Sequence, residues 1–290
     1  MKLREDNMRK FVATLLLFLF STIYAAEKKV LYFTHEPGKR HKYTPQKDVF
    51  REVAQKAGWQ LTVSTGDHEG QILKLRDENL TTGFDVVVYN FCFSTSKDLK
   101  ALSNVIAQTR DKGTPAMVIH CSLHSFWPSY KSGKEGALGA NYQGKAKADP
   151  AMVAEWNKSN PGKAFPAWGD FTGVASTNHG PRLPIMVEKC CEHEATKTLA
   201  SSGYLTTNAE LYNNVYLTAG VQPLLRGTQK QIPQHIIKKI AARKRLNIEE
   251  QKASEMVSTA TVMWLVSQGK SKVIGLSLGH DIKEWQQPEF

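Results

Sequence analysis

Several familiar functional signatures are missing from this chain. Four cysteines in 290 residues are too few for a disulfide scaffold, and the adjacent pair Cys190–Cys191 has no metal-type spacing. The loop His35 to Tyr43 (HEPGKRHKY) follows a strand-like run but lacks the glycine spacing that cradles a dinucleotide pyrophosphate. There is no internal repeat, and no apolar run beyond Phe20 is long enough to cross a membrane. Acidic side chains are also scarce, with 27 Asp and Glu against 38 Lys and Arg, for a formal charge of +11. A basic chain is drawn to anionic polymers and surfaces. Here, however, the aromatic residues do not interleave with the basic ones as a nucleic-acid platform requires, so nucleic acid is not an expected partner.

The first stretch reads as an address rather than as structure. Met1 to Lys10 is net positive, Phe11 to Phe20 (FVATLLLFLF) is a short apolar block, and Ser21 to Ala26 offers small residues for cleavage. That is the pattern of a secretory signal peptide over residues 1–26. The expected product is an exported protein, periplasmic or secreted, with no membrane contact after cleavage. Residues 27–290 are long enough to bury one large α/β core. Export also permits a bridge between Cys92 and Cys121, each of which follows a predicted strand.

The remaining chain alternates strands and helices. Lys29 to Thr34 (KVLYFT), Trp59 to Thr65, Phe84 to Asn90 (FDVVVYN) and Pro115 to Ile119 (PAMVI) read as strands. Thr44–Pro45 reads as the cap and first turn of a helix running to Ala57, with Val49, Phe50 and Val53 on one stripe. A second amphipathic helix covers Lys97 to Lys112. This alternation predicts a doubly wound, mostly parallel sheet of flavodoxin-like type. In such sheets ligands bind beyond the carboxyl ends of the strands. His120, Cys121, Ser122 and His124 sit just past the end of Pro115–Ile119, where the apolar run stops.

The second half is less regular. Residues 126–168 form a long insertion, expected as a lid or rim beside the site. Arg182 to Glu188 reads as an edge strand and Asn208 to Asn213 as a polar turn before another strand. Residues 226–250 are strongly basic, with Lys238, Lys239, Arg243, Lys244 and Arg245 close together, and read as a solvated helix face. Thr261 to Val266, the turn Gln268–Lys270, and Lys272 to Leu278 predict a closing hairpin that ends at Gly279-His280-Asp281.

Taken together these pieces resemble the ThuA-like (trehalose-utilisation) family, whose fold is that of the class I glutamine amidotransferases. The first strand followed by His41, the strand Phe84 to Asn90, and Val118-Ile119-His120 are similar to family segments. So are Asn208-Ala209-Glu210-Leu211-Tyr212 and Met263-Trp264. The run from Gly269-Lys270 to Leu278-Gly279-His280-Asp281 is the most specific match. The resemblance spans about residues 28–285, apart from the insertion and the basic segment. It implies a class I glutamine amidotransferase-like fold and, by analogy, a small-molecule carbohydrate partner.

In the related amidotransferases a cysteine nucleophile follows the strand that corresponds to Pro115–Ile119. Here His120 takes that place and Cys121 comes next. His120, Glu210, His280 and Cys121 are the candidate catalytic residues, and His41, Asn90, Tyr212 and His124 the candidate substrate-binding ones. His41, His120 and His280 could also ligate a divalent metal such as zinc with an open position. Without a metal, the same groups could serve as general acid, general base and hydroxyl binders. Three readings stay open: an enzyme acting on a carbohydrate or polyol, a non-catalytic sugar-binding protein, and a Cys121-dependent amidotransferase-like hydrolase.

Overall fold

The architecture is that of a computed structural model, which describes residues 27–38, 41–130 and 147–290. The expected signal peptide and residues 131–146 of the insertion lie outside the described residues. Strands β1 (Lys29–Thr34), β2 (Gln60–Ser64), β3 (Val86–Asn90) and β4 (Ala116–Ile119) come from the first half of the chain. They alternate with helices α1 (Tyr43–Lys56), α2 (His68–Lys74) and α3 (Leu99–Arg110). β1, β3 and β4 are continuous apolar runs because they are buried on both faces, as interior parallel strands are. α1 turns Tyr43, Gln46, Phe50 and Ala54 inward and stops before Gly58, whose φ of 68° suits a left-handed cap.

Past β4 come helices α4 (Pro150–Ser159) and α5 (Trp168–Thr172) and strands β5 (Val174–Ala175), β6 (His179–Leu183), β7 (Met186–Lys189) and β8 (Tyr204–Leu205). Then follow β9 (Ala209–Tyr212), β10 (Tyr216–Leu217), β11 (Gln222–Lys230), α6 (Gln234–Ala241), α7 (Ile248–Ser254), β12 (Val257–Gln268), β13 (Ser271–Leu276) and α8 (Ile282–Trp285). The main sheet runs β2-β1-β3-β4-β13-β12-β11-β7-β8. Its first five strands are parallel, in the flavodoxin-like order, and the rest are antiparallel. The reversal occurs at the β12–β13 hairpin, where Gly269 takes a φ of 54°. Two small antiparallel pairs, β5 with β10 and β6 with β9, stand outside the main sheet. Among the described residues no helix is long and apolar enough to cross a membrane.

Four local expectations need correction. Thr44 does not cap α1: the helix starts at Tyr43, and the Thr44 hydroxyl donates instead to Glu36, which Lys47 and Thr65 also hold. The basic segment is not helical from Arg226. Residues through Lys230 form β11, whose ladder to β12 and β7 outweighs local composition. Arg182 to Glu188 is not one strand but the ends of two, β6 and β7. Part of the insertion, α4 and the residues just after it, faces α3 instead, where Trp156, Asn160 and Lys163 line a groove with Lys100 and Ser103. Among the described residues of the insertion, Trp127 alone lines the cavity described next.

Candidate functional site

The site is built on the turn that leaves β4. His120 has a φ of 46°, a left-handed backbone that a non-glycine residue adopts only under constraint. A single 3-10 turn, His120–His124, follows it. Ser122 holds this turn to the tip of β3. Its Oγ accepts from the Phe91 N–H at 2.7 Å and reaches the Tyr89 carbonyl at 2.9 Å. Cys92 and Cys121 form a disulfide between the same two tips, with Cα atoms 5.2 Å apart. In this form the Cys121 sulfur is bonded and is not a free nucleophile.

Three imidazoles meet above that turn. His41 comes from the loop after β1 and His280 from the loop after β13. The ring centroids lie 4.8 Å (His41–His120) and 4.9 Å (His41–His280) apart. One ring nitrogen from each lies within 4.8 Å of the others. His120 Nδ1 is 2.7 Å from the Ser277 carbonyl, which can only accept, so Nδ1 carries the proton. The lone pair of the neutral ring is then on Nε2, 3.3 Å from the Tyr212 hydroxyl and 3.6 Å from Glu210 Oε2. Burial, reinforced by the neighbouring His41, holds the His120 pKa well below the usual range. Burial and His280 likewise push His41 down to about 4. His41 and His120 therefore present neutral imidazoles near pH 7.

That donor set suits a divalent cation. Neutral imidazole is the form that ligates, and a ligating histidine usually donates its other N–H to a carbonyl or carboxylate, as His120 does to Ser277. His41 Nδ1 and His280 Nδ1 are buried and hydrogen-bond to nothing. His280 Nδ1 is 3.3 Å from Glu210 Oε2 but out of line for a hydrogen bond.

Glu210 is the carboxylate of the site. It lies within β9, not in a turn before a strand, because Ala209–Tyr212 pairs antiparallel with β6. That register sets Arg182 opposite Glu210, and Arg182 Nε donates to Glu210 Oε1 at 3.1 Å. His179 Nε2 is 3.7 Å from Glu210 Oε2. Burial alone would raise the Glu210 pKa, but the surrounding His280, His120 and His179 outweigh it, and the carboxyl stays below its usual range. Arg182 and His179 were not foreseen as site residues. Their only sequence signal is a place at or just before the start of the strand-like run Arg182 to Glu188, and the β6–β9 pairing that delivers them is not local.

The other candidates separate into two groups. His124 stacks flat on Tyr212 with centroids 3.9 Å apart, and its Nε2 is 2.8 Å from Ser176 Oγ. Both rings line a cavity of about 530 Å³, together with His41, His280, Glu210 and Arg182. Asn90, in contrast, does not reach the cavity. Its amide donates to Tyr32 Oη at 2.7 Å and to Gln46 Oε1 at 3.0 Å. Gln46 in turn donates to the Gly279 carbonyl at 3.1 Å, and Trp285 Nε1 donates to the same oxygen at 3.0 Å. Glu284 accepts from the N–H groups of Gly279 and Asp281. The loop that carries His280 is thus fixed from both sides. Trp264 is core: it is buried, and its Nε1 donates to the Thr172 carbonyl at 2.6 Å.

A flavodoxin-like parallel block with a histidine cluster beyond its strand tips defines an α/β protein of the class I amidotransferase-like type, with histidine at the nucleophile's place. The chain belongs to the ThuA family, described as trehalose utilisation, whose model matches residues 29–290. Its fold is similar to that of a putative ThuA-like protein from Bacteroides uniformis, at 14% identity and a TM-score of 0.53, covering 93% of this chain and 90% of that one. A putative ThuA-like protein from Parabacteroides merdae is also similar, at 14% identity and a TM-score of 0.49, covering 88% and 80%. Among curated proteins none matches.

Proposed function

We propose that this chain is an exported enzyme acting on a carbohydrate or polyol, in which His41, His120 and His280 hold a divalent cation such as zinc beside Glu210. The observation that carries this reading is the convergence of three imidazole nitrogens, from buried His41 and His120 and partly buried His280, within 4.8 Å of one another. The signal-like residues 1–26 and the Cys92–Cys121 bond support export, since disulfides persist in oxidising compartments. A cavity of about 530 Å³ lies within the range of about 300–1,000 Å³ typical of small-molecule sites. Its polar walls suit hydroxyl groups, and the family's link to trehalose points to sugars.

A cation held there would polarise a substrate oxygen. Glu210 is the proton acceptor: it is ionised, and Arg182 fixes one oxygen while the other faces the histidines. Tyr212, whose hydroxyl pKa burial raises well above the ordinary value, stays protonated and donates. His124 stiffens the Tyr212 ring by stacking on it. The test is turnover of mono- and disaccharides and polyols by the wild-type and His120→Ala proteins. A folded His120→Ala variant, which lacks one of the three ligands, should lose turnover by more than the roughly 10–100-fold that groups orienting a ligand are worth. Near-normal turnover in that variant rejects the reading, and sugar binding without turnover in the wild type assigns a binding protein instead.

A further inference from the structure

The basic stretch singled out in the sequence has no role in the site, and the structure gives it an unusual form. β11 ends at Lys230 and β12 begins at Val257, and these two residues are paired. Between them the chain makes an arm, residues 231–256, that holds α6 and α7. α6 buries only Ile236, and α7 buries nothing. From Lys238 to Arg245 there are five cations and no acid. Lys239 pairs with Glu250, but among the described residues Lys238, Arg243, Lys244 and Arg245 have no carboxylate partner. Large apolar side chains are exposed on the same arm and at its root: Ile240 at 48%, Ile248 at 70%, Met256 at 53% and Val257 at 57%. A solvated face has no use for them, and exposed apolar groups beside unpaired charge mark a contact surface.

The chemistry narrows the partner. Nucleic acid would call for stacking aromatics, and residues 231–256 contain no Phe, Tyr or Trp. A second copy docked on the same patch would set like charges against each other. An anionic lipid surface meets both features at once, with headgroups for the Lys and Arg side chains and the acyl boundary for the isoleucines. We infer that the arm docks the protein on an anionic lipid surface. This departs from the expectation of no membrane contact, because a count of charges does not see the exposed apolar residues. The arm also rises from the edge that bears the site. Residues 257–261 of β12 run past Leu276, the end of β13, and pair only with β11. Docking would therefore turn the His120–His280 edge toward the surface, whatever reaction occurs there.

The test is co-sedimentation of the purified protein with vesicles of phosphatidylcholine alone, or of phosphatidylcholine and phosphatidylglycerol in equal parts. Binding should require phosphatidylglycerol and weaken with salt. The triple variant Arg243→Gln, Lys244→Gln, Arg245→Gln should bind roughly 100-fold more weakly, at about fivefold per cation. Ile240→Ser with Ile248→Ser should lower binding by about tenfold or more. All five positions are exposed, so thermal melting should not move. The inference is overturned if phosphatidylglycerol vesicles do not bind or if the triple variant binds as the wild type does. It is also overturned if the serine variant binds normally while soluble polyglutamate displaces the protein, a result that would assign an acidic protein partner.

Discussion

Gln46→Leu tests whether the buried network behind the site holds His280 in place. Gln46 is 2% exposed and makes two bonds, from the Asn90 amide at 3.0 Å and to the Gly279 carbonyl at 3.1 Å. Leucine is similar in size and removes both. Neither partner is orphaned, since Asn90 keeps Tyr32 and Gly279 keeps Trp285. The cost should therefore be that of two ordinary hydrogen bonds, about 1–3 kcal/mol in total, without the larger penalty of a stranded buried group. For a chain of this size, thermal melting should fall by about 2–4 °C per kcal/mol. A second effect is expected at the site. The His280 loop loses one of its anchors, and groups that orient a metal-ligating histidine are worth roughly 10–100-fold in affinity. Zinc affinity, measured by competition with a chromophoric chelator, should drop by at least about tenfold. A variant that melts lower but binds zinc like the wild type would show that the network stabilises the fold without positioning His280.

Two further outcomes follow from particular groups. Burial, with His68 nearby, pushes His35 from 6.5 down to about 4, so between these values the unfolded chain binds a proton that the folded chain does not. Stability from this group is complete above about pH 6.5 and is lost as the pH falls toward 4, by up to about 3 kcal/mol. Denaturant unfolding of His35→Gln between these pH values should give a flatter curve, and an unchanged slope refutes the assignment. Cys92→Ser with Cys121→Ser opens a loop whose ends are 29 residues apart and should cost about 3–4 kcal/mol in the chain-entropy picture. Turnover of whatever sugar proves to be the substrate should survive in the fraction that remains folded. Its loss from a folded double variant would return Cys121 to the position of nucleophile.

The parallel half of the sheet was legible because β1, β3 and β4 are buried on both faces, which forces continuous apolar runs such as Val86-Val87-Val88. The closing hairpin was legible from the Gly269 turn. His41, His120 and His280 stood out because each follows a strand closely, and the parallel order brings such positions to one edge. What was hidden depends on pairing between distant segments. β11 looks helical by composition and becomes a strand only because β12 and β7 flank it. Glu210 looked like a turn residue until β6 paired with β9, and the same pairing delivers Arg182 and His179. Asn90 was read as facing substrate because it ends a strand. In fact its amide turns toward Gln46, on α1, a helix whose inward face cannot be matched to a particular strand tip from periodicity alone.

The central claim is that the three histidines form one metal site. The most direct measurement is the metal content of the purified protein by elemental analysis after dialysis against zinc, with single alanine variants of His41, His120 and His280 in parallel. The account predicts close to one ion per wild-type chain, and little or none in each variant that keeps its fold by circular dichroism. A wild-type protein that takes up no divalent ion, or a folded triple-alanine variant that still binds one, would contradict it.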